Sequence, residues 1–201
     1  MKKTFWDFCA PIYDFFESIN GDTYRKMVKT VADLTPAGST VLEAACGTAE
    51  IGIAVSKKAK SVVCIDISED MLKIAGRKIR KQRINNITLS KRSIYETKEP
   101  DGAFDTVIAA QVLHLLDDPQ KAADELYRIT EKRLILPLAL TKNLTDKSKF
   151  LITLYKIVGF SPKLEFDYED YKNFIVSLGF EKVKFIKIDG AFSISIAVID
   201  K

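Results

Sequence analysis

The stretch "VLEAACGTAEIGIA" at residues 41–54 decides the fold of this 201-residue chain. It starts as an apolar run, reaches an acid at Glu43, and passes through small residues around a single glycine, Gly47, before a helical pattern begins. Small residues keep the turn between a strand and a helix thin, and a thin turn lets a ligand approach the backbone. The stretch therefore predicts a ligand site where a first strand passes into a helix.

Short apolar runs alternate with longer amphipathic runs along most of the chain. Runs typical of strands occur at 40–45, 61–66, 86–91, 105–110 and 133–140, and helical patterns occur at 21–33, 49–58, 69–81 and 119–130. Apolar strands separated by helices indicate a parallel sheet that is covered on both faces.

The C-terminal part of the chain follows a different pattern. A helix predicted at 168–180 is followed by strand-like runs at 181–188 and 192–200. The Asp189-Gly190 pair between these runs predicts an antiparallel hairpin. The expected fold class is therefore α/β, a Rossmann-like, doubly wound, mostly parallel seven-stranded sheet with an antiparallel C-terminal hairpin.

Length and composition favour a single domain over residues 1–201. The chain is 47% hydrophobic and 29% charged, which is enough to bury a core and remain soluble. Residues 1–33, which are rich in aromatic side chains, are expected to form an N-terminal helical cap. Residues 141–167 do not follow the alternation and are expected to be an insertion that lines the substrate pocket, with an apolar helix at about 147–158.

Charge and cysteine usage exclude several classes of protein. The formal net charge of +4 is mild, and the densest basic run, at 76–83, is typical of a solvated helix end. Cys9, Cys46 and Cys64 are far apart and form no CxxC pair, which argues against a disulfide framework or a zinc site.

The cellular location of the protein is predicted from the absence of a secretory signal and of a membrane-spanning stretch in the sequence. No secretory signal is visible, and no stretch approaches the roughly 20 apolar residues that span a bilayer. We therefore expect a cytoplasmic protein without a transmembrane segment. A transient contact with a membrane surface and the oligomeric state stay open.

A second acid, Asp66, ends the second predicted strand 19 residues after Gly47. This is the spacing at which a carboxylate accepts hydrogen bonds from ribose hydroxyls. A dinucleotide would place its pyrophosphate near Glu43, which would repel it, and the usual GxGxxG fingerprint is absent. S-adenosylmethionine (SAM) carries an ammonium and a sulfonium that a carboxylate attracts. The two acids therefore favour SAM over NAD as the ligand. The alternative is an ordinary strand-to-helix turn built from small residues.

Four motifs, in order, resemble those of the class I SAM-dependent methyltransferases. "VLEAACGTAEIGIA" resembles VLDxGCGTGxxxxxLA, and "VVCIDISEDMLKIA" (62–75) resembles GxDxSxxMLxxA. "FDTVIAAQVLHLLDDP" (104–119) resembles the fourth-strand motif, and "AADELYRI" (122–129) resembles the helix that follows it. The match covers roughly residues 38–136. It is most similar to the small-molecule and lipid types, such as methyltransferase domains 11 and 25 and the quinone-biosynthesis enzymes.

The resemblance implies a role for each residue that matches a family motif. Glu43 would lie near the methionyl end of the cofactor, Gly47 would let the backbone approach it, and Asp66 would hold the ribose hydroxyls. Ile67 and Met71 would pack near the adenine. The full set of expected cofactor-binding residues is Glu43, Ala45, Gly47, Asp66, Ile67, Met71, Ser93, Ile94 and Gln111.

The sequence departs from the family pattern at three places. Ala45 and Ala49 replace two glycines, and alanine disfavours the positive φ that glycine adopts. Ser93 stands where the family often has an acid that binds the adenine amine, so it would make a weaker contact. "TEKR" (130–133) replaces the usual turn KPGG before the fifth strand.

Methyl transfer from a sulfonium is an in-line displacement on an activated carbon. The protein must mainly orient the nucleophile and exclude water, so neither a catalytic triad nor a metal is required. His114, the only histidine, follows the fourth strand and is a candidate base or hydrogen-bond donor, with a structural role as the alternative. Tyr13 is a second catalytic candidate, and Gln111 is a candidate for the pocket wall.

Three functions fit the sequence. The order of the motifs favours a SAM-dependent methyltransferase that acts on a small, apolar or lipid-like acceptor. A nucleic-acid methyltransferase often carries [DNS]PP[YFW] after the fourth strand, where this chain has "AAQV" (109–112). A catalytically inactive SAM-binding protein that acts through a partner is the third alternative, suggested by Ala45, Ala49 and Ser93.

Overall fold

The computed structural model describes residues 6, 7, 10, 21–142 and 162–201. The strands are β1 (Thr40–Ala44), β2 (Ser61–Asp66), β3 (Ile87–Lys91), β4 (Phe104–Ile108), β5 (Thr130–Ala139), β6 (Val183–Ile188) and β7 (Ile194–Asp200). The helices of the described ranges 21–142 and 162–201 are α1 (Gly21–Leu34), α2 (Glu50–Ser56), α3 (Glu69–Lys81), α4 (Pro119–Ile129) and α5 (Tyr168–Ser177), and a 3₁₀ turn covers Leu113–Leu115.

The seven strands form one sheet in the order β3-β2-β1-β4-β5-β7-β6. Strands β1 to β5 pair in parallel, whereas β7 is antiparallel to both β5 and β6. The chain winds outwards from β1 to β3 and restarts at β4, so the strand order reverses between β1 and β4. Ligands of open α/β sheets bind at such a reversal, outside the carboxyl ends of the strands. The predicted fold class, including the C-terminal hairpin, is confirmed.

Helices cover both faces of this sheet. The helices α1, α2 and α3 bury apolar side chains on one face, among them Met27, Val31, Ile51, Val55 and Ala75. The helices α4 and α5 cover the other face with Ala122, Leu126, Ile129, Tyr171 and Ile175. The apolar strands are therefore buried on both sides, as their sequences predict.

Local capping interactions explain why two helices begin where the sequence predicts. Ser68 precedes α3, and its Oγ accepts the backbone N–H of Met71 at 3.1 Å. Asp118 precedes α4, its Oδ1 accepts the N–H of Lys121 at 2.9 Å, and Pro119 occupies the first helical position. Such caps satisfy backbone donors that have no partner within the helix.

The structure differs from the sequence prediction at the ends of some elements, and some predicted features lie outside the described residues. The strand β5 begins at Thr130, three residues before the prediction, and β4 ends at Ile108, two residues before it. Tyr13 and the helix predicted at 147–158 lie outside the described residues. Within the ranges that the structure describes, no helix has both the length and the apolar character to span a membrane.

Candidate functional site

A cavity of about 270 Å³ opens at the carboxyl ends of β1, β2 and β4, where the strand order reverses. Its position agrees with the rule for ligand sites in doubly wound sheets. Its volume lies close to the lower end of the range for small-molecule sites. The lining residues are Trp6, Ala45, Gly47, Asp66, Ile67, Met71, Arg92, Ile94, Tyr95, Ala110, Gln111, Val112, Leu115, Leu116 and Asp117.

The loop between β1 and α2 bends through three residues in the left-handed region. Their φ angles are 52° at Ala45, 52° at Gly47 and 62° at Ala49. Glycine adopts such angles without strain, whereas an L-residue does so at a cost of about 1–2 kcal/mol. Ala45 and Gly47 line the cavity, so the expectation of a thin turn beside a ligand site fits this geometry.

Asp66, the last residue of β2, holds this loop in place. Its Oδ2 accepts the N–H of Gly47 at 2.8 Å, and its Oδ1 accepts the N–H of Ser68 at 2.8 Å. Burial raises the pKa of the Asp66 carboxyl, and the hydrogen bonds from Ser68 and Gly47 oppose that shift. A carboxylate has about four lone-pair sites, so two backbone bonds leave capacity for further donors from the cavity.

Glu43 lies on the other side of the loop and does not line the cavity. Its carboxylate is 3% exposed, and Oε2 accepts the N–H of Gly52 at 2.8 Å and the thiol of Cys64 at 3.5 Å. Gly52 is the third residue of α2, and Ala49, which precedes the helix, has no side-chain acceptor. Glu43 therefore caps α2 from the neighbouring strand. Its predicted place beside a methionyl group stays a prediction.

Gln111 connects three elements at the end of β4. Its backbone is left-handed, with φ of 55°, and its N–H donates to Pro137 O at 2.8 Å. Its side-chain Oε1 accepts the N–H of Ala139 at 2.8 Å, and Nε2 lies 3.7 Å from the Sδ of Met27 in α1. Strained backbone of this kind persists where surrounding contacts hold it, and such positions cluster at functional sites.

Arg92 and Tyr95 line the cavity next to Ile94, although they were not among the expected site residues. The N–H of Arg92 donates to Asp66 O at 3.1 Å, and its guanidinium contacts Thr97 O and the Glu99 carboxylate. Both residues belong to "RSIYE" (92–96), just past the carboxyl end of β3. The rule that ligands lie at strand ends is the sequence signal that could have found them.

The N-terminal residues Trp6 and Asp7 reach the same end of the sheet. Trp6 is half-buried and lines the cavity. Asp7 Oδ1 accepts the Oγ–H of Ser68 at 2.7 Å and the N–H of Asp70 at 3.2 Å. Part of the predicted N-terminal cap therefore meets the start of α3.

His114 lies in the 3₁₀ turn after β4 and does not line the cavity. It is 6% exposed, and burial lowers the pKa of its imidazole to about 4, so the ring is neutral at pH 7. Its carbonyl oxygen accepts the N–H groups of Lys163 and Leu164 at 3.0 and 3.2 Å. The structure thus shows an architectural contact for His114, and a role as base stays a prediction.

The structure gathers most of the expected cofactor-binding residues around one space. The ones that line the cavity are Ala45, Gly47, Asp66, Ile67, Met71, Ile94 and Gln111, and the ones that do not are Glu43 and Ser93. Ser93 Oγ accepts the N–H of Tyr95 at 3.2 Å, which stabilises the turn after β3.

Comparison with known proteins finds methyltransferases among the proteins that are similar to this chain. A family model described as a methyltransferase domain matches residues 41–133. A demethylmenaquinone methyltransferase of Lactiplantibacillus plantarum is 31% identical over 131 residues, which are 62% of this chain and 55% of that protein. The chain spans between 40% and 55% of the length of the demethylmenaquinone methyltransferases that it matches.

Solved structures resemble the chain over almost its whole length. A SAM-dependent methyltransferase of Thermotoga maritima, described as a possible histamine N-methyltransferase, has a TM-score of 0.72 at 18% identity, covering 97% of this chain and 98% of that one. Magnesium protoporphyrin IX methyltransferase of Synechocystis, solved with bound SAH, has a TM-score of 0.67 at 20% identity, covering 90% and 86%. At such identities these likenesses show the fold.

Proposed function

We propose that this chain, whose residues 41–133 match the model of a methyltransferase domain, transfers a methyl group from SAM to a small-molecule acceptor. The observation that carries the proposal is the position of Asp66 in the cavity, with lone pairs left beyond its bonds to Gly47 and Ser68. In nucleoside-binding folds, a carboxylate at this strand end accepts hydrogen bonds from the ribose hydroxyls.

The residues around the cavity fit a nucleoside with an attached amino acid. Ile67, Met71 and Ile94 offer apolar side chains beside Asp66, which suits a purine. The thin loop at Gly47 offers backbone to the polar end of the cofactor. The cofactor itself supplies an activated methyl group, whose carbon forms a bond to the acceptor as its bond to sulfur breaks.

The protein's own contribution to this reaction is orientation and exclusion of water. The side chains on the β4 side of the cavity are mainly apolar: Ala110, Val112, Leu115 and Leu116. Placing two reactants side by side in such an environment supplies up to about 7–11 kcal/mol of the barrier. An acceptor with apolar character fits this wall, which supports a small, partly apolar or lipid-like substrate.

Isothermal titration calorimetry with SAM tests the cofactor assignment, with NAD as the control ligand and Asp66→Ala as the control variant. We expect binding of SAM by the wild type, no binding of NAD, and loss of SAM affinity in the variant. No heat of binding at millimolar SAM would overturn the proposal.

The acceptor is tested with SAM that carries a labelled methyl group. Demethylated quinones form the first group of acceptors, because the similar curated proteins carry that substrate in their names. Transfer to nucleic acid alone would favour the nucleic-acid alternative. Bound SAM without transfer to any member of a broad panel would favour the inactive SAM-binding protein.

A further inference from the structure

A pair of hydrogen bonds attaches Asp7 to the start of α3, next to the cavity. Asp7 Oδ1 accepts the hydroxyl of Ser68 at 2.7 Å and the backbone N–H of Asp70 at 3.2 Å. The two donors stand at the start of α3, where positive helix-dipole charge and unpaired N–H groups favour an acid. The contact joins residues that are 61 and 63 positions apart in sequence.

Ser68 links this contact to the carboxylate in the cavity. The residue is fully buried, its N–H donates to Asp66 Oδ1 at 2.8 Å, and its Oγ accepts the N–H of Met71 at 3.1 Å. Ser68 therefore donates to both carboxylates, with its hydroxyl to Asp7 and with its backbone N–H to Asp66. The Ser68 hydroxyl accepts from Met71 and donates to Asp7, so these two bonds strengthen each other in a site that is shielded from water.

Ile67, which lies between Asp66 and Ser68 in sequence, is only partly buried. Ile67 is 44% exposed, which is high for a large apolar residue that lines a cavity. Trp6, adjacent to Asp7, lines the same cavity. An indole and an aliphatic side chain that face one space form a surface suited to a flat aromatic base.

We propose that Asp7 is a positioning residue that holds the Trp6 indole at the nucleoside half of the cavity, where Trp6 and Ile67 contact the adenine. The inference rests on the proposed function, because it assigns a contact within the SAM site. Asp7 acts through Trp6 and through Ser68, and it does not itself touch the reacting atoms. A merely structural alternative gives Asp7 only the role of completing the cap of α3.

Fluorescence separates the two roles, because Trp6 is the only tryptophan of the chain. Quenching by acrylamide measures the exposure of its indole in the cofactor-free protein. In Asp7→Ala, we expect quenching to rise towards the value of free N-acetyltryptophanamide. Asp7→Asn keeps an oxygen acceptor for both donors, so its quenching should match the wild type. Asp22→Ala removes an exposed acid of α1 and serves as the control.

Titration with SAM measures the effect on the cofactor. Asp7→Ala releases the indole from the nucleoside half of the cavity, so it should weaken SAM binding by the factor expected for loss of the Trp6 contact, about ten-fold, with Asp7→Asn restoring most of the affinity. Trp6→Ala should weaken binding by a similar factor, about ten-fold, whereas Trp6→Phe keeps an aromatic face and most of the affinity. In the double variant Trp6→Ala/Asp7→Ala the two losses should not add.

Each outcome decides the inference. Unchanged quenching in Asp7→Ala overturns the positioning role, and so does unchanged SAM affinity in Trp6→Ala. A lower melting temperature in Asp7→Ala with unchanged quenching supports the cap alone and overturns the inference. Failure of the wild type to bind SAM overturns the proposed function, whereas the quenching comparison is made without cofactor and tests the Asp7 contact by itself.

Discussion

Asp66, the last residue of β2, holds the loop that follows β1, because its Oδ2 accepts the N–H of Gly47 at 2.8 Å. The same carboxylate accepts the N–H of Ser68 at the start of α3. A side chain proposed to bind the cofactor therefore also shapes the loop against which the cofactor would lie. We therefore expect its replacement to change both binding and local stability.

Asp66→Ala should lower both SAM affinity and stability. Two backbone N–H groups lose their charged acceptor, which costs about 2 kcal/mol of unfolding free energy after water partly replaces it. SAM affinity should fall at least about ten-fold, because the ribose hydroxyls lose the same acceptor. Calorimetric unfolding and SAM titration measure the two effects.

Asp66→Asn is the matched variant for this prediction. The carboxamide has one oxygen, so it accepts only one of the two backbone donors and turns an NH₂ group towards the other. We expect intermediate losses in stability and affinity. If Asp66→Ala melts at the wild-type temperature, the loop does not depend on this carboxylate.

Ala45→Gly should stabilise the protein. The residue has a φ of 52°, and removing its Cβ relieves left-handed strain at a gain of about 1 kcal/mol, less the added freedom of the unfolded chain. Ala49 has a φ of 62° but is fully buried, so the loss of its packed methyl, about 0.8 kcal/mol, offsets most of the gain there. Thermal unfolding should therefore show a higher melting temperature for Ala45→Gly than for Ala49→Gly.

The same substitution in a helix provides the control for these two variants. Ala32 lies within α1, where glycine costs about 1 kcal/mol relative to alanine. Ala32→Gly should therefore lower the melting temperature. A lower melting temperature in Ala45→Gly as well would contradict the strain assigned to this loop.

The sequence predicts elements best where their determinants are local. The bounds of α3 match the prediction from end to end, because Ser68, Glu69 and Asp70 supply the cap and the first-turn acids within three positions. The start of β5 differs from the predicted start at residue 133, because Thr130, Glu131 and Lys132 are polar and carry no apolar signal. Thr130 joins the sheet by pairing with Phe104 of β4, and the register shifts before the next pair, Thr106 with Arg133.

The candidate site shows the same division between local and distant determinants. Gly47 and Asp66 are recognisable because each stands at the end of an apolar run. The contact between Asp7 and Ser68 spans 61 positions and leaves no periodic signal in the sequence. The turn of Glu43 towards Gly52 follows from packing of α2 on β1 and β2, since Cys64 and Glu43 surround that glycine.

Gly52→Ala should destabilise the protein. A Cβ at this position would lie 2.5 Å from Cys64 Sγ and 2.7 Å from Glu43 Oε2. Both neighbours are buried, so relief of the clash requires movement of the Glu43 carboxylate away from the N–H that it caps. Overpacking of this kind costs about 1–3 kcal/mol, which unfolding in urea measures.

Gly76→Ala is the matched helical control, and its expected effect has the opposite sign. A Cβ there would lie 3.2 Å from the mobile end of Arg80 and 3.5 Å from Leu89 Cδ1, within α3. Alanine in a helix gains about 0.8–1 kcal/mol over glycine. Equal losses of unfolding free energy in both variants would show that the close contacts around Gly52 do not cause the destabilisation.

His114 predicts a pH dependence of stability. Burial lowers the pKa of its imidazole to about 4, below the ordinary value of 6.5. The folded protein therefore keeps the ring neutral while the unfolded chain binds a proton as the pH falls below about 6.5. The contribution of His114 is present in full above that pH and decreases by about 1.4 kcal/mol per unit until the pH reaches the folded pKa.

His114→Asn removes this dependence, because asparagine does not titrate. Between pH 7 and pH 5 the wild type should lose about 2 kcal/mol more unfolding free energy than the variant. The two proteins share their carboxyl groups, including Asp105 and Glu125, whose pKa values are lowered to about 2. The contributions of these groups to the pH dependence therefore cancel when the two proteins are compared. SAM affinity should be unchanged, because His114 does not line the cavity. Parallel pH curves would contradict the buried neutral ring, and lost methyl transfer with intact SAM binding would instead support a catalytic base.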